Sequence, residues 1–172
     1  DTDLAPDTVG RLQQRWFRQT RDVVTATPAV VDGTIYVGDW SGTFYALGIA
    51  DGRERWTYQA PEHPNVYSGQ IVGSAAVADV ADANGDRDRL VYFPSGKTMY
   101  ALDASDGTLR WDYELNPDGP DDDPTEIQSS PVVADGMVIF GFDAHDQPGV
   151  RAGSVALNAA TGEQRCYLDP GE

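Results

Sequence analysis

The chain has 172 residues, which is enough for one ordinary core or for a few repeats of a larger array. Its formal net charge is −16, and such an acidic surface repels nucleic-acid phosphates and anionic membranes, which argues against both as partners. No apolar run approaches the roughly 18 residues of a membrane-spanning helix.

The first predicted element is a single strand at residues 10–20, GRLQQRWFRQT. It resembles the last strand of the units that follow, and its Trp16 occupies the place of a tryptophan in those units. Residues 10–20 therefore predict one leading strand, without the three strands that would complete its own unit.

Residues 23–59 predict a unit of four short antiparallel strands, called A to D in chain order. Runs rich in Val, Ile, Tyr and Phe, separated by Gly and Asp, place these strands at 28–31, 34–38, 43–47 and 53–58. Asp32-Gly33, between strands A and B, is a dipeptide that favours a type I′ hairpin turn.

The same unit recurs twice. FYALGIADGRERW (44–56), MYALDASDGTLRW (99–111) and SVALNAATGEQRC (154–166) end at positions 56, 111 and 166, a constant offset of 55 residues. Further units are therefore predicted at 70–114 and 127–168, and no stretch shows convincing helical periodicity. Four-stranded units at this interval are typical of β-propeller blades. The tryptophan that ends the motif is predicted to lie on strand D and to cover the neighbouring blade.

Cys166 takes the tryptophan position in the last copy and is the only cysteine, so no intrachain disulfide can form. Three blades cannot close a ring, because closed propellers have roughly four to eight. We therefore expect residues 1–172 to be a single partial propeller domain, completed by further blades of a longer chain or by other subunits. An intact mass and a light-scattering mass test this expectation, and a stable monomer of 172 residues would contradict it.

Two insertions interrupt the repeat, and the face on which each lies follows from blade geometry. The A–B and C–D turns of a blade lie on one face, and its B–C turn and D–A connection lie on the other. The insertion at 79–90 is an A–B loop of the second blade. Alternate residues there present oxygen atoms, as calcium loops do: Asp82, Asn84, Asp86 and Asp88. Two alternatives stay open, a structural calcium site or a solvated loop, because Arg87 replaces the usual glycine.

The insertion at 142–153 is the B–C turn of the third blade, on the opposite face. It contains the weak catalytic candidates Asp143, His145 and Asp146, together with Arg151. Histidine can act as a base or a ligand near neutral pH, aspartate can act as a base or bind calcium, and arginine pairs with carboxylates. The alternative is an ordinary polar loop with an exposed His145.

The D–A connections at 58–70 and 115–128 fall on that same face and are long and rich in proline. With Trp40 of the first B–C turn, they are predicted to line either a substrate entrance or an acidic surface for a basic protein partner. Glu126 is one of their acidic residues. His63 stands between two prolines, which favours an exposed loop histidine over a catalytic base.

Residues 16–166 resemble the tryptophan-docking repeats of quinoprotein alcohol dehydrogenase-like propellers, also called PQQ-like repeats. VTATPAVVDGTIYVGDWSGTFYAL is similar to the first blade of polyvinyl alcohol and methanol dehydrogenase-type quinoproteins. The resemblance implies an eight-bladed propeller, exported to the periplasm or the extracellular space, which holds pyrroloquinoline quinone (PQQ) and calcium and oxidises alcohols. Non-enzymatic relatives, such as outer-membrane assembly scaffolds, carry the same repeat without a cofactor.

GVRAG (149–153) resembles the stretch that follows a calcium-ligating glutamate in methanol dehydrogenase-type enzymes. In that comparison Gln147 stands near the position of the glutamate, and Gln147, Arg151 and Trp40 are the weak cofactor-binding candidates. Two functions stay open. The chain is a fragment of a PQQ- and calcium-dependent alcohol dehydrogenase acting on a small alcohol or a polymer, or it belongs to a non-catalytic scaffold that binds protein, peptide or polymer. The fold alone does not decide between them.

Overall fold

The computed structural model describes residues 5–6, 8–63, 69–81, 85–117, 125–143 and 152–168. Within these residues lie one short 3₁₀ helix, Val9–Arg11, and twelve strands. The strands, in chain order, are β1 (Ala29–Val31), β2 (Thr34–Gly38), β3 (Thr43–Gly48), β4 (Glu54–Gln59), β5 (Ala76–Ala81), β6 (Arg87–Ser95), β7 (Thr98–Asp103), β8 (Leu109–Glu114), β9 (Val132–Ala134), β10 (Met137–Phe142), β11 (Gly153–Asn158) and β12 (Gln164–Leu168).

The strands form three four-stranded antiparallel sheets: β1–β4, β5–β8 and β9–β12, each in sequence order. We refer to these sheets as blades one, two and three. The predicted all-β fold of four-stranded units is therefore confirmed. The A strands of successive blades, β1, β5 and β9, come close to one another, which places them at the inner edge of the array. Among the described residues, no helix has the length and apolarity needed to cross a bilayer.

The A–B turns of blades one and three have the conformation that their sequences predict. Asp32 and Gly33 have φ values of 44° and 76°, and Asp135 and Gly136 have φ values of 49° and 73°. Both central residues of a type I′ turn require positive φ, which glycine adopts without cost and aspartate tolerates. These dipeptides therefore fix the register of strands A and B.

The C–D pairing of every blade contains an irregularity at the same place. The register shifts after Ala46, Ala101 and Ala156, positions separated by 55 residues each time. Such a bulge increases the local twist of a strand pair. Its recurrence shows that the repeat extends to backbone detail.

Each tryptophan of the repeat contacts the C–D turn of the blade that follows it. The indole nitrogens of Trp16, Trp56 and Trp111 donate to the carbonyl oxygens of Ile49, Ala104 and Ala159, at 2.9, 3.1 and 3.0 Å. In the Trp56 and Trp111 bonds, the two donors are 55 residues apart and so are the two acceptors. An indole that is buried with its N–H bonded contributes apolar contact without leaving an unsatisfied donor.

A glycine lies directly under each of these indole rings. A Cβ atom added to Gly52, Gly107 or Gly162 would meet the ring of the docked tryptophan at 2.5, 2.7 or 2.8 Å. All three glycines have positive φ, between 66° and 79°. The turn therefore needs glycine for two reasons, its backbone conformation and the close approach of the ring.

A tyrosine on strand B strengthens the junction. Tyr36 pairs across the sheet with Ala46, which pairs with Trp56, and both aromatic side chains donate to the carbonyl of Ala104. We call such a set of paired residues across strands B, C and D a row. The equivalent row in blade two contains Tyr92 and Trp111, which both donate to Ala159.

Blade three has neither of these donors. Its row contains Ile139, Ala156 and Cys166, and both Ile139 and Cys166 are exposed. The bonds that join blade one to blade two, and blade two to blade three, therefore have no counterpart on the far side of blade three within the described residues.

Residues 12–20 differ from the predicted leading strand, because they pair with no strand among the described residues. A strand requires a ladder partner, and the described sheets offer this segment none. Trp16 nevertheless docks on blade one as the other tryptophans dock on theirs. The side chain therefore occupies its repeat position, although the backbone is not a strand.

The insertion at 79–90 also differs from the prediction. Strands β5 and β6 extend into it and pair as far as Ala81 and Arg87, so most of the predicted loop is a hairpin. Alternation along these strands places Asp79 beside Arg89, which holds it through two hydrogen bonds of 2.6 and 3.0 Å. The backbone ladder of β5 and β6 thus extends into a segment where the acidic sequence favoured a loop.

Candidate functional site

The B–C turns and the D–A connections lie on one face of the array, which we call the loop face. A series of main-chain bonds connects them: Gln70 N–H donates to Trp40 O at 3.1 Å, Gly96 N–H to Gln70 O at 2.9 Å, and Ile127 N–H to Gly96 O at 2.9 Å. Trp40 and Gly96 belong to B–C turns, and Gln70 and Ile127 to D–A connections. The first D–A connection is thus bonded to the B–C turns of blades one and two, and the second is bonded to the B–C turn of blade two.

An open cleft of about 750 Å³ lies on the loop face beside the B–C turn of blade one. We call it the Trp40 cleft. Its lining residues come from the N-terminal segment, that turn, the end of β4 and the D–A connection: Asp22, Trp40, Ser41, Gln59, Ala60, Pro61, Glu62, His63 and Gln70. The volume lies within the range of roughly 300–1,000 Å³ that is typical of small-ligand sites.

Trp40 is held rigidly in this cleft. Its indole nitrogen donates to Thr25 Oγ1 at 3.0 Å, and its backbone N–H donates to the carbonyl of Val23 at 2.9 Å. Gly69 lies against the ring, since a Cβ atom there would come within 2.4 Å of it. The ring remains partly exposed. Trp40 is therefore a fixed aromatic surface that borders solvent.

Asp39, which sequence reasoning did not single out, is fully buried next to Trp40. Its carboxylate accepts hydrogen bonds from six groups: Ser41 N–H, Ser41 Oγ, Thr43 N–H, Tyr45 OH, Arg21 N–H and Asp22 N–H. Burial opposes its ionisation, but these hydrogen bonds outweigh burial and hold the pKa of Asp39 below its usual value. Asp39 therefore ties the N-terminal segment to the turn and has a structural role.

His63 is half-buried, whereas its sequence context predicted an exposed loop histidine. Its ring packs against Gly96, and Nε2 lies 3.3 Å from Thr98 Oγ1. The side chain of Gln70 bonds both backbone groups of His63, at 3.3 and 2.8 Å. Burial lowers the pKa of His63; the charges of Glu114 and Glu126 oppose this shift, and that of Lys97 adds to it. This histidine is neutral at physiological pH and connects blade one to blade two.

Asp143 is the one catalytic candidate that lies within the described residues. It forms an isolated antiparallel bridge with Glu126, with reciprocal main-chain bonds of 2.8 and 3.0 Å. Glu126 is buried, and Gln128 Nε2 donates to its carboxylate at 2.9 Å. Sequence reasoning placed both acidic residues on one face but did not predict that they pair. The sequence pattern predicts at which end of the strands each residue lies, but not which residue it pairs with.

The other predicted residues of the third B–C turn lie outside the described residues: His145, Asp146, Gln147 and Arg151. Their proposed roles stay predictions. Of the calcium candidates, Asp82 and Asn84 also lie outside the described residues. Asp88 is on strand β6, where it forms an ion pair with Arg110. Among the described residues, no group of three or more His, Cys, Asp or Glu is placed to hold a metal.

The Trp40 cleft does not fit PQQ, because that cofactor is a tricarboxylate. A polyanion is held by arginine and lysine side chains, whereas the described lining of this cleft contains neither and includes two exposed carboxylates, Asp22 and Glu62. Arg21 borders the cleft, and its Nη1 already donates to Gln59 Oε1 at 3.1 Å. The structure therefore gives no support to Trp40 as a cofactor-binding residue.

The repeated sheets and the conserved offset of their junctions define the chain as a run of β-propeller blades. The family model PQQ_2, described as outer membrane protein assembly factor BamB, matches residues 12–167. The chain therefore belongs to this family of PQQ-like propellers.

Individual relatives add alcohol-oxidising proteins to this picture. The chain is 30% identical to quinohemoprotein alcohol dehydrogenase ADH-IIG of Pseudomonas putida over 98% of its own length and 23% of the relative's. It is 32% identical to 1-butanol dehydrogenase (cytochrome c) of Thauera butanivorans, over 80% of this chain and 19% of that protein. The chain thus spans about a fifth of the length of these curated relatives.

A solved structure matches the fold of nearly the whole chain. A europium-containing methanol dehydrogenase superposes with a TM-score of 0.73 over 97% of this chain and 28% of its own, at 20% sequence identity. At this identity the match shows the fold only. The shared fold is the array of four-stranded blades described above.

Proposed function

We propose that this chain is part of the propeller of a PQQ- and calcium-dependent alcohol dehydrogenase. The observation that carries the proposal is the 30% identity to a quinohemoprotein alcohol dehydrogenase across 98% of the chain. The similarity to a second alcohol-oxidising relative supports it. When bound, PQQ supplies the redox chemistry, by accepting the electrons that leave the alcohol. This chain supplies blades and one stretch of the loop face.

Within this proposal, the reactive region of the chain is the third B–C turn. The candidates there are Asp143, His145, Asp146, Gln147 and Arg151. The Glu126–Asp143 bridge supports a role for this region, because it places a buried carboxylate from the D–A connection beside the start of the turn. Carboxylate and amide oxygens suit calcium, and arginine suits a carboxylate of the cofactor. A separate structural calcium at Asp82, Asn84, Asp86 and Asp88 remains part of the proposal.

The rest of the propeller is the first partner that we propose, with residues 1–172 forming one partial domain. The exposed row of Ile139 and Cys166 supports this, since the same row is covered in blades one and two. The apolar residues Val132 and Leu168 on the same blade are also 60% and 62% exposed. Uncovered apolar surface of this kind marks an interaction site. An exported location, periplasmic or extracellular, follows the family and is likewise proposed.

Reconstitution tests the enzymatic proposal. The full-length protein is incubated with PQQ and calcium, cofactor binding is measured by calorimetry, and dye-linked oxidation of alcohols is assayed. We expect saturable cofactor binding and alcohol-dependent dye reduction that is lost when calcium is chelated. Absence of PQQ binding in the presence of calcium would overturn the proposal.

A second function, a non-catalytic scaffold, is favoured by one observation. The described part of the loop face carries a cleft with acidic residues and no lining lysine or arginine, so this part of the face does not suit an anionic cofactor. The description of the family model, outer membrane protein assembly factor BamB, is consistent with such a role. Binding of a protein partner by full-length protein that takes up no PQQ would support the scaffold.

A further inference from the structure

We propose that the Trp40 cleft binds an uncharged, hydroxyl-rich ligand, namely a neutral oligosaccharide. The proposed site is separate from the third B–C turn and needs no cofactor. The inference therefore goes beyond the proposed function and does not depend on it.

Trp40 is the one tryptophan that the repeat does not use. The chain has four tryptophans, and the other three bond main-chain carbonyls at the blade junctions. The loop-face bonds place Gly96, a buried glycine, at the corresponding position of blade two, since its carbonyl accepts from Ile127 N–H as that of Trp40 accepts from Gln70 N–H. Because blade two forms its junctions without an aromatic residue there, the architecture does not require Trp40. A large side chain that the architecture does not require points to a role in binding.

The setting of Trp40 suits stacking against a sugar ring. Its indole is fixed by the bond to Thr25 and by the close approach of Gly69, so little side-chain entropy is lost when a ligand binds. The negative face of an indole attracts the slightly positive C–H groups of a pyranose ring. A rigid, partly exposed tryptophan in an open cleft thus offers a preformed platform.

Polar groups around the platform can read hydroxyl groups. Glu62 is exposed, and its carboxylate makes no hydrogen bond or ion pair to any described residue. Asp22 is also exposed, and His63 brings a neutral imidazole. Carboxylates accept hydrogen bonds in pairs, and a neutral imidazole both donates and accepts. Hydroxyl groups both donate and accept hydrogen bonds, so they can bond to these carboxylates and to the imidazole.

The charge of the cleft selects an uncharged ligand. Two carboxylates and no lining lysine or arginine disfavour phosphate, sulfate or uronic acid groups. The guanidinium of Arg21 at the border, bonded to Gln59, offsets part of this negative charge, and no three acidic, His or Cys side chains among the described residues converge to hold a cation. A neutral oligosaccharide satisfies both conditions and fits an open cleft of about 750 Å³.

The test uses the purified full-length protein without PQQ. Calorimetric titration with cellohexaose, maltohexaose and chitohexaose is compared with titration by sulfated heparin hexasaccharide and by lysine hexapeptide. We expect saturable binding of at least one neutral hexasaccharide, detected also as a change in tryptophan fluorescence. We expect no specific binding of the heparin fragment or the peptide. Preference for either charged probe, or binding of none of the neutral ones, would overturn the proposal.

Substitutions locate the site. Trp40→Ala should weaken binding of the neutral ligand about tenfold or more, because stacking and apolar contact are lost. Glu62→Gln should weaken it about threefold to tenfold, because a charged acceptor becomes neutral. Tyr167→Ala, which removes an exposed aromatic residue of blade three, is the matched control and should leave affinity unchanged. If Trp40→Ala does not fold, Trp40→Phe and Glu62→Gln carry the test.

The outcomes separate this proposal from the enzymatic one. Unchanged affinity in both Glu62→Gln and the foldable Trp40 variant overturns the oligosaccharide site. Loss of affinity in these variants with unchanged PQQ uptake supports it and leaves the dehydrogenase proposal intact. Failure of PQQ uptake by the unmodified protein affects only the dehydrogenase proposal.

Discussion

The blade junctions and the loop face differ in how closely the three copies of the unit agree. At the junctions, Trp56 and Trp111 make the same bond to carbonyls 55 residues apart and rest on glycines 55 residues apart. On the loop face, Trp40 of blade one corresponds to Gly96 of blade two, whose carbonyl accepts the equivalent main-chain bond.

This difference separates architecture from function. A contact repeated at every junction is explained by the need to join blades, so it carries no information about a ligand. A residue found in one copy only has no such explanation. Trp40, the Glu126–Asp143 bridge and the turn that follows it are therefore the parts of the chain where a ligand or a reaction is expected.

The largest effect is expected at a junction. Trp111→Ala removes a nearly buried indole and its bond to Ala159, which also leaves a cavity between blades two and three. We expect a loss of about 3–5 kcal/mol in the free energy of unfolding, measured by urea titration. Trp111→Phe keeps apolar contact and should lose less. Equal losses for Trp111→Ala and Trp40→Ala would contradict the distinction between junction and loop face.

Much of the junction could be predicted from the sequence, because the repeat offset is visible in single letters. The periodic strands, the Asp-Gly turns and the tryptophan positions all followed from local patterns. The constant offset then predicted that Trp56 and Trp111 occupy equivalent places, which their bonds to Ala104 and Ala159 match.

The loop face could not be predicted to the same depth. His63 was expected to be exposed, but contacts with Gly96 and Thr98 of the next blade bury half of it. The loop at 79–90 proved to be mostly a hairpin, in which β5 and β6 pair as far as Ala81 and Arg87. Both outcomes depend on which residues pair or pack together: His63 packs against residues more than 30 positions away, and the hairpin depends on the register of two strands. Single-sequence patterns do not specify such partners.

The next effect isolates the close approach of the indole. Gly107→Ala introduces a Cβ at φ +79° and within 2.7 Å of the Trp56 ring, whereas Gly136→Ala has φ +73° and nothing within 4 Å. Both should lose about 1 kcal/mol from backbone strain. Gly107→Ala should lose roughly a further 1–2 kcal/mol from displacement of the ring. Identical unfolding midpoints for the two variants would show that the ring contact contributes nothing.

Asp39 shows that the loop face also contains a structural carboxylate. Asp39→Asn should lower the free energy of unfolding by about 2 kcal/mol near neutral pH, since charge-assisted bonds to a buried carboxylate are weakened. The folded-state pKa of Asp39 lies below its unfolded value of about 3.9. Its contribution is therefore present above about pH 4 and is lost as pH falls through the folded-state pKa. Unfolding of both proteins is measured between neutral and acidic pH, and a difference that grows on acidification would contradict this assignment.

The smallest effect concerns the face opposite the loop face, where Arg89 of blade two bonds both Asp79 of its own blade and Asp32 of blade one. The hydrogen bonds from Arg89 hold the pKa of Asp79 below its usual value. All three side chains are substantially exposed, so the pairs contribute little. Arg89→Met should lower the urea midpoint only slightly, and the difference should disappear at about 1 M NaCl, where screening is strong. A large loss that persists in salt would mean that charge pairing, and not the tryptophan contact alone, joins blade one to blade two.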